Sequence, residues 1–522
     1  MLIFEAYRDG APAKTVDLAA AHLLGAESVP MRSEISAKAG RITCQKRAEG
    51  AAALALMWEA GSAGRLLLAT TRLPEREQPY NLNVELARAR LMLLIQKRED
   101  WGLFDYPDGA ALSEELDKIR KLFVQALAVL GEGGEAAQLA DECLTQAVEL
   151  SEQTALFHAS IFLKRRRSRG GERPTLGCVV DPASFSEPVV QRLGEAVDFV
   201  SLPMPWRFTE PREGQSDYAR LDAWMDWAQR KQMPILGGPL LSFEPGFFPD
   251  WIYIWEHDFE TLRDMMYEHV QVLVNRYGKG VMAWNVISAA QAYNAFGMNF
   301  EQMMELTRTS CAAVKQLVPR ATVLVDLALP WGEYYAANPR TIPPMMYADM
   351  CVQSGVKFDA FGVRLLLGAP EEGLFVRDLM EVSTKLDEFA GFGKPLHVTA
   401  CQVPGSVEID KADHWSGEKP AAAAGRWHLP WGEQVQADWA DAFYQLALSK
   451  PFVDTVSWLD LSDGPGHYLA SGGLCTASLQ PKSVYEHLRQ LRSALAPRHG
   501  KAAPSAHKAG EGRPAAGPNH KP

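Results

Sequence analysis

Five acidic residues in this sequence stand where a carboxyl group could do acid–base or nucleophilic work. Asp326 and Asp460 close short β-branched runs, and Glu244, Glu333 and Asp463 lie just beyond such runs. Two facing carboxyls can divide a reaction, one giving a proton while the other attacks or activates a nucleophile. Each also has a plainer role as a solvated loop charge or a helix cap. Aromatic residues are dense nearby. Phe247, Phe248, Trp251 and Trp255 fall in one segment, Trp331, Tyr334 and Tyr335 in another, and His414, Trp415, Trp427, His428 and Trp431 in a third, while Trp458 precedes Asp460. Indole and phenol rings can cover the flat C–H face of a pyranose and offer a polar edge to its hydroxyls. A single ring serves equally well to seal an apolar mouth, so only the ensemble points to a sugar.

Other chemistries find little support. His257-Asp258 and His269 lack ligand spacing and no HExxH pattern occurs, so no metal site is expected. His397, inside an apolar run, reads as a core histidine bonded to backbone. No Gly-x-Ser-x-Gly elbow occurs where a strand meets a helix, and no glycine-rich dinucleotide fingerprint follows a strand; no cofactor is expected. The seven cysteines are scattered without a CxxC pair, which argues against a disulfide framework. A net charge of -11 over 522 residues disfavours nucleic acid or an anionic membrane as partner. The basic run at 164–169 reads as charge complementing a helix C-terminus.

The elements that must position these residues follow from periodicity. Between residues 172 and 496, apolar runs at 175–180, 198–202, 234–240, 282–287, 322–327, 360–365, 396–400 and 455–459 read as strands. Amphipathic patterns at 218–231, 259–277, 300–317, 376–389, 434–448 and 483–495 read as helices. Eight such repeats make an α/β fold, a (β/α)8 TIM barrel whose functional groups lie at the C-terminal strand ends. Residues 1–75 read as a small β-domain with strands near 2–7, 41–46, 52–58 and 65–70, serving carbohydrate binding or packing. Residues 76–171 read as a helical segment and basic linker, with one helix capped by Ser113 and a second at 135–166. The Pro/Ala/Gly/Lys stretch 497–522 is expected to be a disordered tail.

Several motifs recur in the order of one known family. They are Pro205-Trp206, Thr209-Glu210-Pro211, Gly214-Gln215, Trp227-Ala228-Gln229, Pro249-Asp250-Trp251, Arg276-Tyr277, Trp284-Asn285-Val286 and Pro481-Lys482 followed by Tyr485. In order and spacing they resemble the family 10 glycoside hydrolases, the β-xylanases, across roughly the last 320 residues before the tail. The resemblance implies retaining hydrolysis by two carboxyls about 5 Å apart. The family's acid/base Glu corresponds to Ala289 and its nucleophilic Glu to Ala400, and a methyl group can neither give a proton nor form a glycosyl ester. Its sugar-gripping Asn-Glu-Met-Lys-Trp reads Leu202-Pro203-Met204-Pro205-Trp206 here, so the Asn and Lys are absent. Asp326 and Trp458 keep the family's positions. Arg364 replaces a polar group in the mouth and would pair with an anionic ligand such as a uronic acid, or with Asp326.

The resulting expectation is a glycan-binding protein without the family's catalytic pair. Trp206, Trp284, Asn285, Trp331, Tyr335, Arg364, Trp427 and Trp458 would contact an oligosaccharide or other small glycan. Two alternatives stand beside it: a hydrolase with relocated carboxylates, of which Asp326, Asp460 and Glu244 are the candidates, or a scaffold that binds another partner. The start, MLIFEAYRDGAP, shows no leader pattern and no run suits a membrane span, so a cytoplasmic location is expected. Oligomeric state is open.

Overall fold

A computed structural model describes residues 1–106, 109–168, 175–338, 340–408, 421–464 and 467–495. The expected tail, the last residue of the basic run, and His414 and Trp415 lie outside these residues.

The N-terminal region is β-rich. Strands β1 (Leu2–Glu5), β2 (His22–Leu24), β3 (Ser33–Lys38), β4 (Arg41–Lys46), β5 (Ala53–Glu59) and β6 (Gly64–Ala69) fall into two antiparallel groups, β1-β4-β3 and β6-β5-β2. Helices α1 (Leu82–Asp100), α2 (Ala110–Ala128) and α3 (Gly133–Ser168) follow. Ser113 lies inside α2 instead of capping it, and its hydroxyl donates to the Gly109 carbonyl at 3.2 Å. No apolar stripe announces α1 in the sequence, because its buried face is partly ionic: Asn83, Glu85, Arg90, Lys97 and Arg98 are all buried.

Eight parallel strands then close into a barrel. They are β7 (Thr175–Val179), β8 (Phe199–Leu202), β9 (Ile235–Gly237), β10 (Ala283–Ser288), β11 (Thr322–Leu327), β12 (Ala360–Leu366), β13 (Leu396–Gln402) and β14 (Val453–Leu459). Each pairs with its neighbours in order, β14 meets β7, and β9 meets β10, so no edge remains. Helices α4 (Glu187–Ala196), α5 (Ala219–Lys231), α6 (Phe259–Tyr277), α7 (Phe300–Leu317), α8 (Pro344–Gln353), α9 (Leu379–Ala390), α10 (Glu433–Ser449) and α11 (Ser483–Leu495) alternate with the strands. The chain is a (β/α)8 barrel with an added N-terminal β-region and helices. No helix among the described residues is long and apolar enough to cross a membrane.

The N-terminal third of the chain is fused to the barrel wall. One apolar core runs without interruption from Leu2 to Leu488. Across the seam, Arg90 of α1 grips Asp378 at the start of α9 with two bonds of 2.9 and 2.5 Å, both side chains being buried. Lys97 and Lys450 share Asp387. Arg166 of α3, from the basic run, donates to the carbonyls of Leu448, Lys450 and Val453, so its charge finishes α10 and the entry to β14. The long segment after β13 reaches back as a strap: Arg426 and Trp427 pair with Arg65 and Gly64. Only glycine fits at 64, where φ is +110° and a Cβ would lie 2.3 Å from the Arg426 carbonyl oxygen.

Removing one member of a buried ion pair leaves the other charged without compensation. Arg90→Ala is expected to cost about 3–5 kcal/mol, read as a lower urea midpoint, whereas Lys118→Ala, which breaks an exposed pair with Glu115, leaves the midpoint in place.

Candidate active-site mouth

Side chains alternate in and out along a strand, so the barrel interior is layered. Phe199, Leu236, Ala283, Leu324 and Ala360 form an apolar floor. Two residues further along β10 and β11 stand Asn285 and Asp326, and the next inward position after Asp326 is Ala328. The middle layer is therefore polar. Asp326 accepts from Ser288 Oγ at 2.5 Å on one oxygen and from Thr399 Oγ1 at 2.5 Å on the other. The second bond joins β11 to β13 across β12, and Gly362 makes it possible: a Cβ there would sit 2.3 Å from Asp326 Oδ1. Burial pushes the Asp326 carboxyl above its usual range, against the pull of Arg364 and its hydroxyl partners.

Above this layer, loops from several strands meet at one cation. Arg364 of β12 pairs with Glu244, from the segment after β9, and its guanidinium lies over the Tyr468 ring at 5.3 Å. Burial opposes its charge, but Glu244, Tyr468 and Asp326 outweigh that and hold the guanidinium firmly protonated. The expected partners, a uronate or Asp326, thus give way to Glu244 as the direct one. Asp460 follows β14 in a left-handed conformation, φ +65°. Its carboxylate takes a 3.2 Å bond from Gln402 and lies 3.5 Å from His467 Nδ1, and burial raises its pKa.

Around this ion pair the rim is hydrocarbon. Ala289, Ala328, Leu329, Leu366, Ala400, Leu459 and Leu469 form a single apolar cluster, flanked by half-buried Tyr293, Tyr335 and Tyr468. Ala289 directly follows β10 with φ +59° and Ala400 lies within β13.

Residues 199–419 match the model described as Glycosyl hydrolase family 10. Among solved structures, the chain is similar to xylanase B from Clostridium stercorarium F9 (14% identity, 60% of this chain and 96% of that one, TM-score 0.47). It is also similar to xylanase 10B from Thermotoga maritima (15% identity, 62% and 97%, TM-score 0.46).

Within this barrel, most of the aromatic residues expected at a ligand are committed to protein. Trp206 is buried, donates to Glu210 at 2.9 Å and stacks on His269 with ring centroids 4.1 Å apart. Trp284 is wholly buried beside Gly237, where a Cβ would come within 3.0 Å of its ring. Trp458 donates to the Gly472 carbonyl at 2.9 Å, and Trp427 to Glu152 of α3 at 2.7 Å in the strap. Trp331 lies under the Arg377 guanidinium at 4.1 Å, on the seam with the N-terminal region. Asn285 is buried with its Oδ1 unpartnered, and Tyr335 edges the apolar cluster. The rings sit where burial repays their large apolar area, which periodicity does not distinguish from a ligand platform.

The carboxylates divide similarly. Glu333 is buried against Arg377 and the Gly373 N–H. Burial alone would raise its pKa, but Arg377, His22 and that N–H together hold it below the ordinary range. Asp463 is tied to Lys482 at 3.0 Å and to the Gly473 N–H. Only Glu244, Asp326 and Asp460 meet at the mouth. Sequence reading passed over Gln402, His467 and Tyr468 as members of this cluster; Gln402 at the C-terminal end of β13, and His467 and Tyr468 in the segment after β14, stand where the available signal lay. His397 bonds Thr455 Oγ1 at 2.8 Å, a side chain instead of the backbone expected. No group of three or more His, Cys, Asp or Glu among the described residues could hold a metal ion.

Two expectations follow. Gly362→Ala forces Asp326 and Thr399 apart and should lower stability by about 1–3 kcal/mol, read as a lower urea midpoint that Gly194→Ala, at a helical position with open space around it, does not reproduce. Burial also pushes the His397 imidazole down to about 4 and that of His269 to about 3. An imidazole near 6.5 when unfolded and depressed when folded adds stability above about pH 6.5 that is lost as pH falls toward 4. The urea midpoint should fall across that interval, and less steeply in His397→Gln.

Proposed function

We propose that this chain recognises a short oligosaccharide through a family 10 barrel and does not cleave it. One observation carries the reading: Ala289 and Ala400, which correspond by resemblance to the two reacting glutamates, lie in the same hydrocarbon cluster at the barrel's upper rim. Retaining hydrolysis needs a proton donor and a nucleophilic oxygen about 5 Å apart, and two methyl groups supply neither. The remaining acids support the same conclusion. Glu244 is neutralised by Arg364, and both oxygens of Asp326 already accept hydrogen bonds from neighbouring strands. Because Arg364 already has an anion, the reading favours an uncharged glycan.

The decisive experiment incubates the purified chain with aryl xylosides and xylo-oligosaccharides and follows product release, with calorimetric titration in parallel. Saturable heat without product is the expected result. Turnover that disappears in Asp460→Asn or Asp326→Asn would overturn the non-hydrolytic reading, and absence of both heat and product with every sugar would overturn glycan recognition.

A further inference from the structure

The Arg364–Glu244 pair occupies the centre of the mouth, and the same face of the barrel carries an open groove beside it. The segments following β9, β10 and β11 enclose a cavity of about 620 Å³ lined by Glu256, His257, Phe296, Gln302, Asn338 and Arg340. Its walls are held in place from beneath. Asn294, buried and in a left-handed turn, takes the Met298 N–H at 2.8 Å and donates to the carbonyls of Met298 and Arg340, each at 2.8 Å. Ile342 N–H donates to the Gln291 carbonyl at 2.9 Å, a second tie between the same two segments. The groove is thus pre-formed, which spares a ligand the entropy of ordering it.

Its functional groups are those that read hydroxyls. Arg340 is exposed and makes no ion pair among the described residues. The amide oxygens of Gln302 and Asn338 accept from the backbone of Asn299 and Arg340, which leaves their NH2 groups to donate outward. Glu256 supplies an acceptor 3.5 Å from His257. Planar donors next to one carboxylate can serve vicinal hydroxyls, each of which both accepts and donates.

Beside these groups lies the only run of three exposed large apolar side chains among the described residues, Tyr253, Ile254 and Trp255, exposed by 36, 78 and 36%. Tyr253 packs on the groove residue Phe296, ring centroids 5.1 Å apart. Exposed rings at the margin of a polar groove mark a binding surface, and they offer the flat apolar face that a pyranose ring requires. The cleft of similar volume between α1, α9 and the N-terminal strands lacks this character, because its floor charges Arg90 and Arg377 already hold Asp378 and Glu333.

We infer that this lateral groove, flanked by Tyr253 and Trp255 and lined by Asn338 and Arg340, is the oligosaccharide site, displaced from the barrel axis. The inference rests on the glycan-binding reading above and specifies where that binding occurs. The test titrates the full chain with xylotetraose, and with cellotetraose and maltotetraose in parallel, for wild type, Arg340→Ala, Trp255→Ala and Leu469→Ala, with thermal midpoints as a check on folding. At least a tenfold loss of affinity in both groove variants at unchanged midpoint, with Leu469→Ala binding as wild type, is the expected result. Full affinity in Arg340→Ala and Trp255→Ala would overturn the groove and leave the broader reading standing. A wild-type chain that binds none of the sugars would overturn both.

Discussion

A closed barrel has a limited set of inward positions, and at the upper rim of this one hydrocarbon fills them. That constraint governs the rest of the mouth. With Ala289, Leu366, Ala400 and Leu459 gathered into one cluster, the polar layer below is cut off from solvent and must satisfy itself. It does so through Asp326, which bridges three strands by hydroxyl bonds over the missing side chain of Gly362. The Arg364–Glu244 pair meets the same demand from above, since a guanidinium brought this far from water needs a counter-charge. A layer of buried acid and base remains, internally matched and turned toward protein.

The same economy of charge explains why the N-terminal third of the chain cannot be regarded as a detachable appendage. Its long helices meet the barrel through Arg90–Asp378 and the Asp387 cluster, and α3 presents Glu152 to three donors at once: the Leu379 N–H, the Trp427 indole and His428. The strap after β13, which in sequence looks like an aromatic loop over the mouth, is drawn sideways by these bonds into the N-terminal sheet. Trp427 and Trp331 therefore anchor a seam. Rings that would have made a platform over the axis are occupied elsewhere, and the exposed aromatic surface moves to the margin near Tyr253 and Trp255.

Much of this architecture is legible from local pattern. The barrel strand at 322–327 and the helices at 259–277, 300–317 and 483–495 fall where periodicity puts them, because the signal lies within each local segment. Helix α1 escapes such reading because its buried face is built from ions whose partners lie nearly three hundred residues away. The replacement of two reacting acids by Ala289 and Ala400 is likewise written in the chain, as is Asp326 at the end of its strand.

What only the folded chain decides is orientation. An indole at a strand end looks the same in sequence whether it faces a ligand, as a platform would, or a helix layer, as Trp284 does, since both outcomes depend on neighbours brought in from other strands. The partner of Arg364 is a case of the same kind: Glu244 lies 120 residues earlier, and no local rule selects it over Asp326. Residue type determined which groups were present and which chemistry was lost; barrel closure, through the bulges and crossings that aim each side chain, determined which of them met.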